Sequence, residues 1–275
     1  MEFTAFSDAI KREMDIDIHG YRGPFITRRL HSRMSLTSCA TLEEYYVLLG
    51  SDELERGHFL SSLSIPISEF FRDPWLFAHL EHEVFPELLA GKRHSRVRSL
   101  RIWSCGCSAG QELYSAALLL CRIQDSRNEP DALQTFLLGT DIDAHALERA
   151  RSGRYRRGEV GNVALRDIAE YFIPDGEHYR ITDRLRGMPR FALHNLLDAA
   201  REVPRESVFR AFDLIFCRNV MIYYEPDVQR RMFARLDHML TSGGYMVMGE
   251  FEQPPPEMRA TYTRCRENLC LYRKR

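Results

Sequence analysis

The chain contains no apolar run of the ~20 residues that a membrane-spanning helix needs. Its opening stretch, MEFTAFSDAIKREMD, is acidic and amphipathic, which is the wrong pattern for a secretory signal. There is no excess of either charge: 38 Lys and Arg stand against 39 Asp and Glu. Bulk electrostatics therefore point neither to nucleic acid nor to insertion into a membrane. The seven cysteines form no CxxC pair, and Cys105 with Cys107, or Cys265 with Cys270, match no zinc or disulfide framework. Reduced thiols in a cytoplasmic protein without a metal site are the expectation. Internal repeats and low-complexity segments are also missing.

What the sequence does hold is enough apolar material for a large core, 44% of 275 residues. Residues 1 to about 90 read as helices. Phe3, Phe6, Ile10 and Met14 recur at helical spacing, and Ile26, Leu30 and Met34 follow Pro24 at a first-turn position. Leu42, Tyr45, Tyr46 and Leu49 make a third helix with Thr41 as cap, Glu44 as its capping-box partner and Gly50 at its end. A fourth covers Leu54 to Leu63, and Pro74 to Leu89 reads as one more helix before a basic connection, Gly91 to Arg96.

From Val97 the period changes. LRIWSCG, TFLLGTDID, FDLIFC and GYMVMGE are apolar strands, with helices at Glu112–Arg122, Ala144–Arg151 and Asp227–Leu240. Alternation of this kind predicts a parallel sheet covered on both faces. ATYTRC and NLCLYRKR read as a terminal antiparallel hairpin. The Arg- and Gly-rich stretch from 155 to 193, with strand candidates HYRI and RFALH, reads as a small inserted β-subdomain. The expected organisation is thus an all-helical domain over 1–68, a linker over 69–96, and an α/β domain over 97–275.

Ligands of open parallel sheets bind at the carboxyl ends of the strands, near the switch in strand order. The first strand ends in Gly106 within SCGCSAGQE, where glycines let a ligand approach the backbone. The second ends in Asp141, placed where nucleotide-binding folds hold ribose, although Asp141 and Asp143 equally suit helix caps. Further ends give His194-Asn195-Leu196 and Cys217-Arg218-Asn219. No GxGxxG fingerprint is present, so no diphosphate loop is evident. That favours S-adenosylmethionine over a nicotinamide dinucleotide. Arg218 follows a run that reads as fully buried, where an unpaired charge is expensive. It either organises an anionic pocket or pairs with a carboxylate such as Glu225 or Glu250.

SEFFRD, IWSCGCSAGQELYS, GTDIDAHALERARSGRY and FDLIFCRNVMIYY together resemble the chemotaxis receptor methyltransferases, the CheR-type protein-glutamate O-methyltransferases, over residues 60 to 251. The resemblance implies a Rossmann-like S-adenosylmethionine-dependent methyltransferase sheet with its β-subdomain and helical N-terminal domain. It also implies glutamate methyl-ester formation on the cytoplasmic helices of chemoreceptors, with S-adenosylhomocysteine as product. Ser68 and Arg72 would close over the cofactor, Glu112 would face its amino group, and Asp141 its ribose. Asn195 and Leu196 would border the adenine, Gly106, Cys217 and Arg218 would complete the pocket, and Tyr223 would lie near the transfer path. Two departures stand out: Pro66 where the family usually has Asn, and GQELYS where it usually reads GEEPYS, with Gln111 for an acid and Glu112 kept. A non-catalytic S-adenosylmethionine-binding regulator is the alternative that these departures raise.

Arg22, Arg28, Arg29 and Arg33 form a stretch without acids, with Arg29 and Arg33 one turn apart on the same stripe. It is either a solvated helix face or, as the resemblance implies, the basic helix with which the family meets acidic receptor helices. The segment between HYRI and RFALH is short and carries Pro189, which cannot donate to an added strand. The expectation is a monomer that meets receptors without a tail-peptide tether.

Overall fold

The structure, a computed structural model, describes residues 1–64, 68–93, 98–127, 133–198 and 211–275. Pro66 lies outside the described residues. The chain divides into two compact units, Met1–Ile65 with Met221–Arg231, and Pro66–Val220 with Met232–Arg275.

The first unit holds α1 (Phe3–Met14), α2 (Gly23–Thr37), α3 (Leu42–Ser51) and α4 (Glu53–Leu63). Each buries one stripe: Phe6 and Ile10, then Phe25, Ile26 and Leu30, then Tyr45 and Leu49, then Phe59 and Leu63. Thr41 caps α3 by accepting from the Glu44 N–H, and the Glu44 carboxylate reaches back to the Ala40 N–H. Gly50 does not end α3. The helix runs to Ser51, and the Asp52 carboxylate starts α4 by accepting from the Leu54 and Glu55 N–H groups. Glu55 is buried among the aromatics, accepting from Tyr45 Oη at 2.7 Å and Arg33 Nε at 2.9 Å. A buried carboxylate needs such a partner, so Arg33 is internal. Arg22 is bound to main chain, its N–H donating to the Tyr223 C=O and its Nε to the Tyr224 C=O. Arg29 lies over the Phe25 ring, and Arg28 is exposed.

The second unit opens with α5 (Pro74–His79), which passes through a π turn (Leu80–Val84) into α6 (Phe85–Arg93). The single helix expected here is interrupted because Pro86 has no N–H and its ring crowds the carbonyl of His82. A wider turn, in which the Phe85 N–H reaches Leu80 C=O, accommodates both. Lys92 belongs to this helix rather than to a surface connection, and its Nζ pairs with the buried Asp213 at 2.6 Å.

Then come β1 (Ser99–Cys105), α7 (Gln111–Arg127), β2 (Gln134–Asp141), α8 (Ala144–Ser152), β3 (Arg154–Arg156), α9 (Leu165–Tyr171), β4 (Phe172–Asp175), β5 (His178–Ile181), α10 (Asp183–Arg186), β6 (Pro189–Leu193), β7 (Phe212–Cys217), α11 (Pro226–Met239, its residues up to Arg231 counted with the first unit), β8 (Leu240–Met248), β9 (Tyr262–Arg264) and β10 (Leu271–Lys274). The main sheet has the order β6-β2-β1-β7-β8-β10-β9. Its first five strands are parallel, and β10 runs antiparallel to both β8 and β9. β7 is buried along its whole length, which explains its unbroken apolar sequence. The chain lays β1, β2 and β6 to one side and then β7 and β8 to the other. The switch point is therefore between β1 and β7, where Cys105 stands opposite Cys217.

The second sheet has three antiparallel strands in the order β3-β5-β4. The RFALH stretch does not belong to it. Its residues up to Leu193 pair parallel with β2 in the main sheet, and α10 fills what reads in sequence as a hairpin turn. Both edges of the small sheet lack free donors. On β4 the Thr182 N–H to Tyr171 C=O bond sets the ladder phase, so Phe172 and Pro174 turn their main chain outward. Phe172 N–H is already given to Ile168 C=O, and Pro174 has none. On β3 the outward groups are those of Arg154 and Arg156, whose N–H groups go to Ser152 Oγ and to Glu159 Oε2.

Candidate active site

Among the described residues, six non-glycine residues have positive φ. Asp15 and Ser38 simply close helices. The other four, Phe71 (51°), Asp73 (72°), Ser108 (49°) and Asn219 (58°), lie in loops of the second unit. Such conformations cost roughly 1–3 kcal/mol each and collect at functional sites. Three of these residues give their own N–H to a buried side-chain oxygen: Phe71 to Ser115 Oγ (2.9 Å), Ser108 to Asp141 Oδ2 (2.8 Å) and Asn219 to Glu252 Oε2 (2.8 Å).

Asp141 is 4% exposed, and its second oxygen accepts from the Asp143 N–H at 2.9 Å. It thus joins the end of β2 to the glycine loop after β1. Burial pushes its carboxyl above the usual carboxylate range, against the pull of these N–H donors. Asp143 is the cap of α8. Gly106, at φ +66°, has no room for a side chain, because a Cβ would lie 2.5 Å from Val220 Cγ2. The turn after β1 and the turn after β7 are in contact there.

Arg218 enters between these turns with 9% of its side chain exposed. Its Nη1 donates to the Arg72 C=O at 3.0 Å and lies 3.5 Å from Glu112 Oε2, and its Nη2 is 3.8 Å from Asp73 Oδ2. Neither Glu225 nor Glu250 is among these contacts. The Arg218 Nε–H is buried without a partner. Glu112, in the first turn of α7, accepts from Ser104 Oγ at 2.8 Å. Burial pushes the Glu112 carboxyl up, and Arg218 and Ser104 pull it back only in part.

Of the residues expected here, Arg72, Gly106, Glu112, Asp141, Cys217 and Arg218 occupy the ends of β1, β2 and β7 and the loop before α5. Ser68 is half-buried in that same loop. Asn195 and Leu196 follow β6, where Asn195 Oδ1 accepts from the Leu197 N–H and the Leu196 C=O accepts from Arg235. Gln111 is buried, with Nε2 on Glu159 and Oε1 unpartnered. Tyr223 belongs to the other unit, its ring 4.8 Å from Phe25. Sequence reasoning missed Asp73, Ser104, Ser115 and Glu252. Ser104 and Ser115 fall inside the IWSCGCSAGQELYS stretch, but nothing marks Glu252 in GEFEQPPP.

A largely buried arginine with an unpaired N–H beside a largely buried acid, at the switch point of a parallel sheet ending in an antiparallel hairpin, fits a ligand carrying both charges. The sheet order, together with the family to which the chain belongs, defines an S-adenosylmethionine-dependent methyltransferase. The chain belongs to the CheR methyltransferase family: residues 67–267 match its S-adenosylmethionine-binding domain and residues 1–64 its all-alpha domain. A chemotaxis protein methyltransferase of Listeria monocytogenes is 29% identical over 252 residues, 92% of this chain and 90% of that protein. A putative methyltransferase, Cher3, of Pseudomonas putida is 32% identical over 260 residues, covering 92% and 88%. Among the described residues no helix is long and apolar enough to cross a membrane, and no group of three metal-ligating side chains is assembled.

Proposed function

We propose that this methyltransferase esterifies glutamate side chains on the cytoplasmic helices of chemoreceptors. The observation that carries the reading is the Arg218 Nε–H, buried and unpaired beside Glu112. When bound, S-adenosylmethionine supplies a methyl group on a sulfonium sulfur, open to in-line displacement by a carboxylate oxygen. A glutamate carboxylate, with a reference pKa of about 4.3, is already anionic at neutral pH and requires no general base. The protein's task is then to hold partners in line and keep water out. Glu112 would hold the amino group of the cofactor, and the lone pairs of Asp141 left over from its N–H bonds to Ser108 and Asp143 would hold ribose hydroxyls. Asn195 and Leu196 would border the base, and Ser68, Arg72, Gly106 and Cys217 would close the pocket. Arg218 offers its free N–H to an anionic group through a charge-assisted bond.

Receptor contact runs through side chains. With Arg22 bound to main chain and Arg33 committed to Glu55, Arg28 and Arg29 are the arginines left for an acidic helix. The small sheet, with its outward N–H groups absent or occupied, has no donor for an added peptide strand. Receptor affinity should therefore fall with ionic strength.

The test is transfer of labelled methyl groups to receptor cytoplasmic fragments. Base-labile label that drops at least tenfold in Arg218→Ala, at unchanged melting temperature, supports the reading. S-adenosylhomocysteine binding without base-labile label on any fragment overturns it in favour of a non-catalytic regulator.

A further inference from the structure

Glu252 lies in the loop after β8 and is 7% exposed. Its Oε2 accepts from the N–H groups of Asn219 and Gly249, both at 2.8 Å, and its Oε1 from the Val220 N–H at 2.9 Å. An ionised carboxylate can accept at every position, which is what three converging donors require. Gly249 completes the knot. A Cβ there would lie 2.6 Å from Glu252 Oε2 and 2.8 Å from the Asn219 nitrogen. The carboxylate therefore fixes Asn219 in its left-handed conformation and fixes the peptide that leads out of Arg218. It also sets Val220, whose methyl group lies against Gly106.

We propose that Glu252 is a positioning residue for the cofactor pocket, acting through Arg218. It matches the role of Asp141: one buried carboxylate locks the left-handed turn after β1, the other the left-handed turn after β7. The inference rests on Arg218 belonging to the pocket, as read above. It predicts that Glu252→Gln, whose amide group would face a donor, places the Arg218 guanidinium wrongly without removing it.

The test is a double-mutant cycle read by calorimetric affinity for S-adenosylhomocysteine, which needs no protein substrate. Glu252→Gln should weaken binding about tenfold. In an Arg218→Ala background the same change should weaken it by less than about twofold. Tyr262→Phe, which loses a hydrogen bond to Asp237 in the terminal hairpin, serves as a control for general destabilisation and should leave affinity unchanged. If Glu252→Gln does not fold, Gly249→Ala, which displaces the carboxylate without deleting it, takes its place in the cycle. Affinity within twofold of wild type, or losses that add in full, overturn the proposal. If Arg218→Ala alone binds normally, the assignment of Arg218 to the pocket falls, and the route for Glu252 falls with it. Failure of methyl transfer to receptor fragments would leave this cycle unaffected and overturn only the substrate reading.

Discussion

Replacing Asp141 by alanine should loosen the protein as well as the ligand. Its carboxylate accepts from two backbone N–H groups, Ser108 at 2.8 Å and Asp143 at 2.9 Å, in a place that is 4% exposed. Each donor left unsatisfied in such a place costs about 1–3 kcal/mol, so the pair sets a range of roughly 2–6 kcal/mol. Burial already holds this carboxyl above its usual range, so removing the charge returns part of that cost, and the lower half of the range is expected. That is a large share of a typical domain stability of about 5–15 kcal/mol. Asp141→Asn keeps one acceptor and should lose about half as much. The assay is urea unfolding followed by the fluorescence of Trp103, which is buried on β1 and donates from Nε1 to Thr140 Oγ1 beside the site. Calorimetry with S-adenosylhomocysteine, on protein still folded, reads the second role, with affinity falling tenfold or more. An unchanged urea midpoint in Asp141→Ala would refute the clamp. A lowered midpoint with unchanged affinity would refute the ribose contact.

Glu112→Gln should raise the melting temperature while weakening S-adenosylhomocysteine about ten- to a hundredfold, the range of a charged hydrogen bond worth roughly 1.5–3 kcal/mol. The sign follows from the raised carboxyl: the folded state takes up a proton before the unfolded chain does, so the ionised group costs stability at neutral pH. In the helical unit, burial raises the Glu55 carboxyl, but the bonds from Arg33 and Tyr45 outweigh it and leave it below its ordinary value. The stability it contributes is present above the unfolded pKa and lost as pH falls through the folded one. Arg33→Ala, which strands that charge, should cost about 3–5 kcal/mol in chemical unfolding, whereas Arg28→Ala should leave stability unchanged. Gly106→Ala should cost roughly 2–5 kcal/mol, from left-handed strain and the overlap with Val220. Adding Val220→Ala should recover part of that loss, and no recovery would mean that the two turns are not in contact.

The strands of the large sheet were legible because buried parallel strands leave continuous apolar runs, and the glycine and acids at their ends fell where the switch point put them. RFALH was misplaced for a related reason. A short alternating segment reports that it is a strand but not which sheet it joins, and only the pairing of Leu137–Asp141 with Pro189–Leu193 decides that. Asp141 was legible as a position and not as a clamp, since its partners are backbone N–H groups, which leave no mark in a sequence. Glu252 was invisible for the same reason, across 33 residues from Asn219. Arg33 stood one turn from Arg29 and read as part of one surface stripe. Its partner, Glu55, is 22 residues away on another helix.

The occupied edges of the small sheet bear on how the chain behaves among copies of itself. A three-stranded sheet with open edges is a template on which other molecules can stack, most dangerously while the protein is still folding. Here Pro174, the Ile168 carbonyl, Ser152 and Glu159 leave that template without donors. Restoring one of them with Pro174→Val would open an outward N–H on β4 at little cost to the folded molecule. Its consequence would be colloidal: lower yield on refolding at high protein concentration, through edge-to-edge association that the native sequence forecloses.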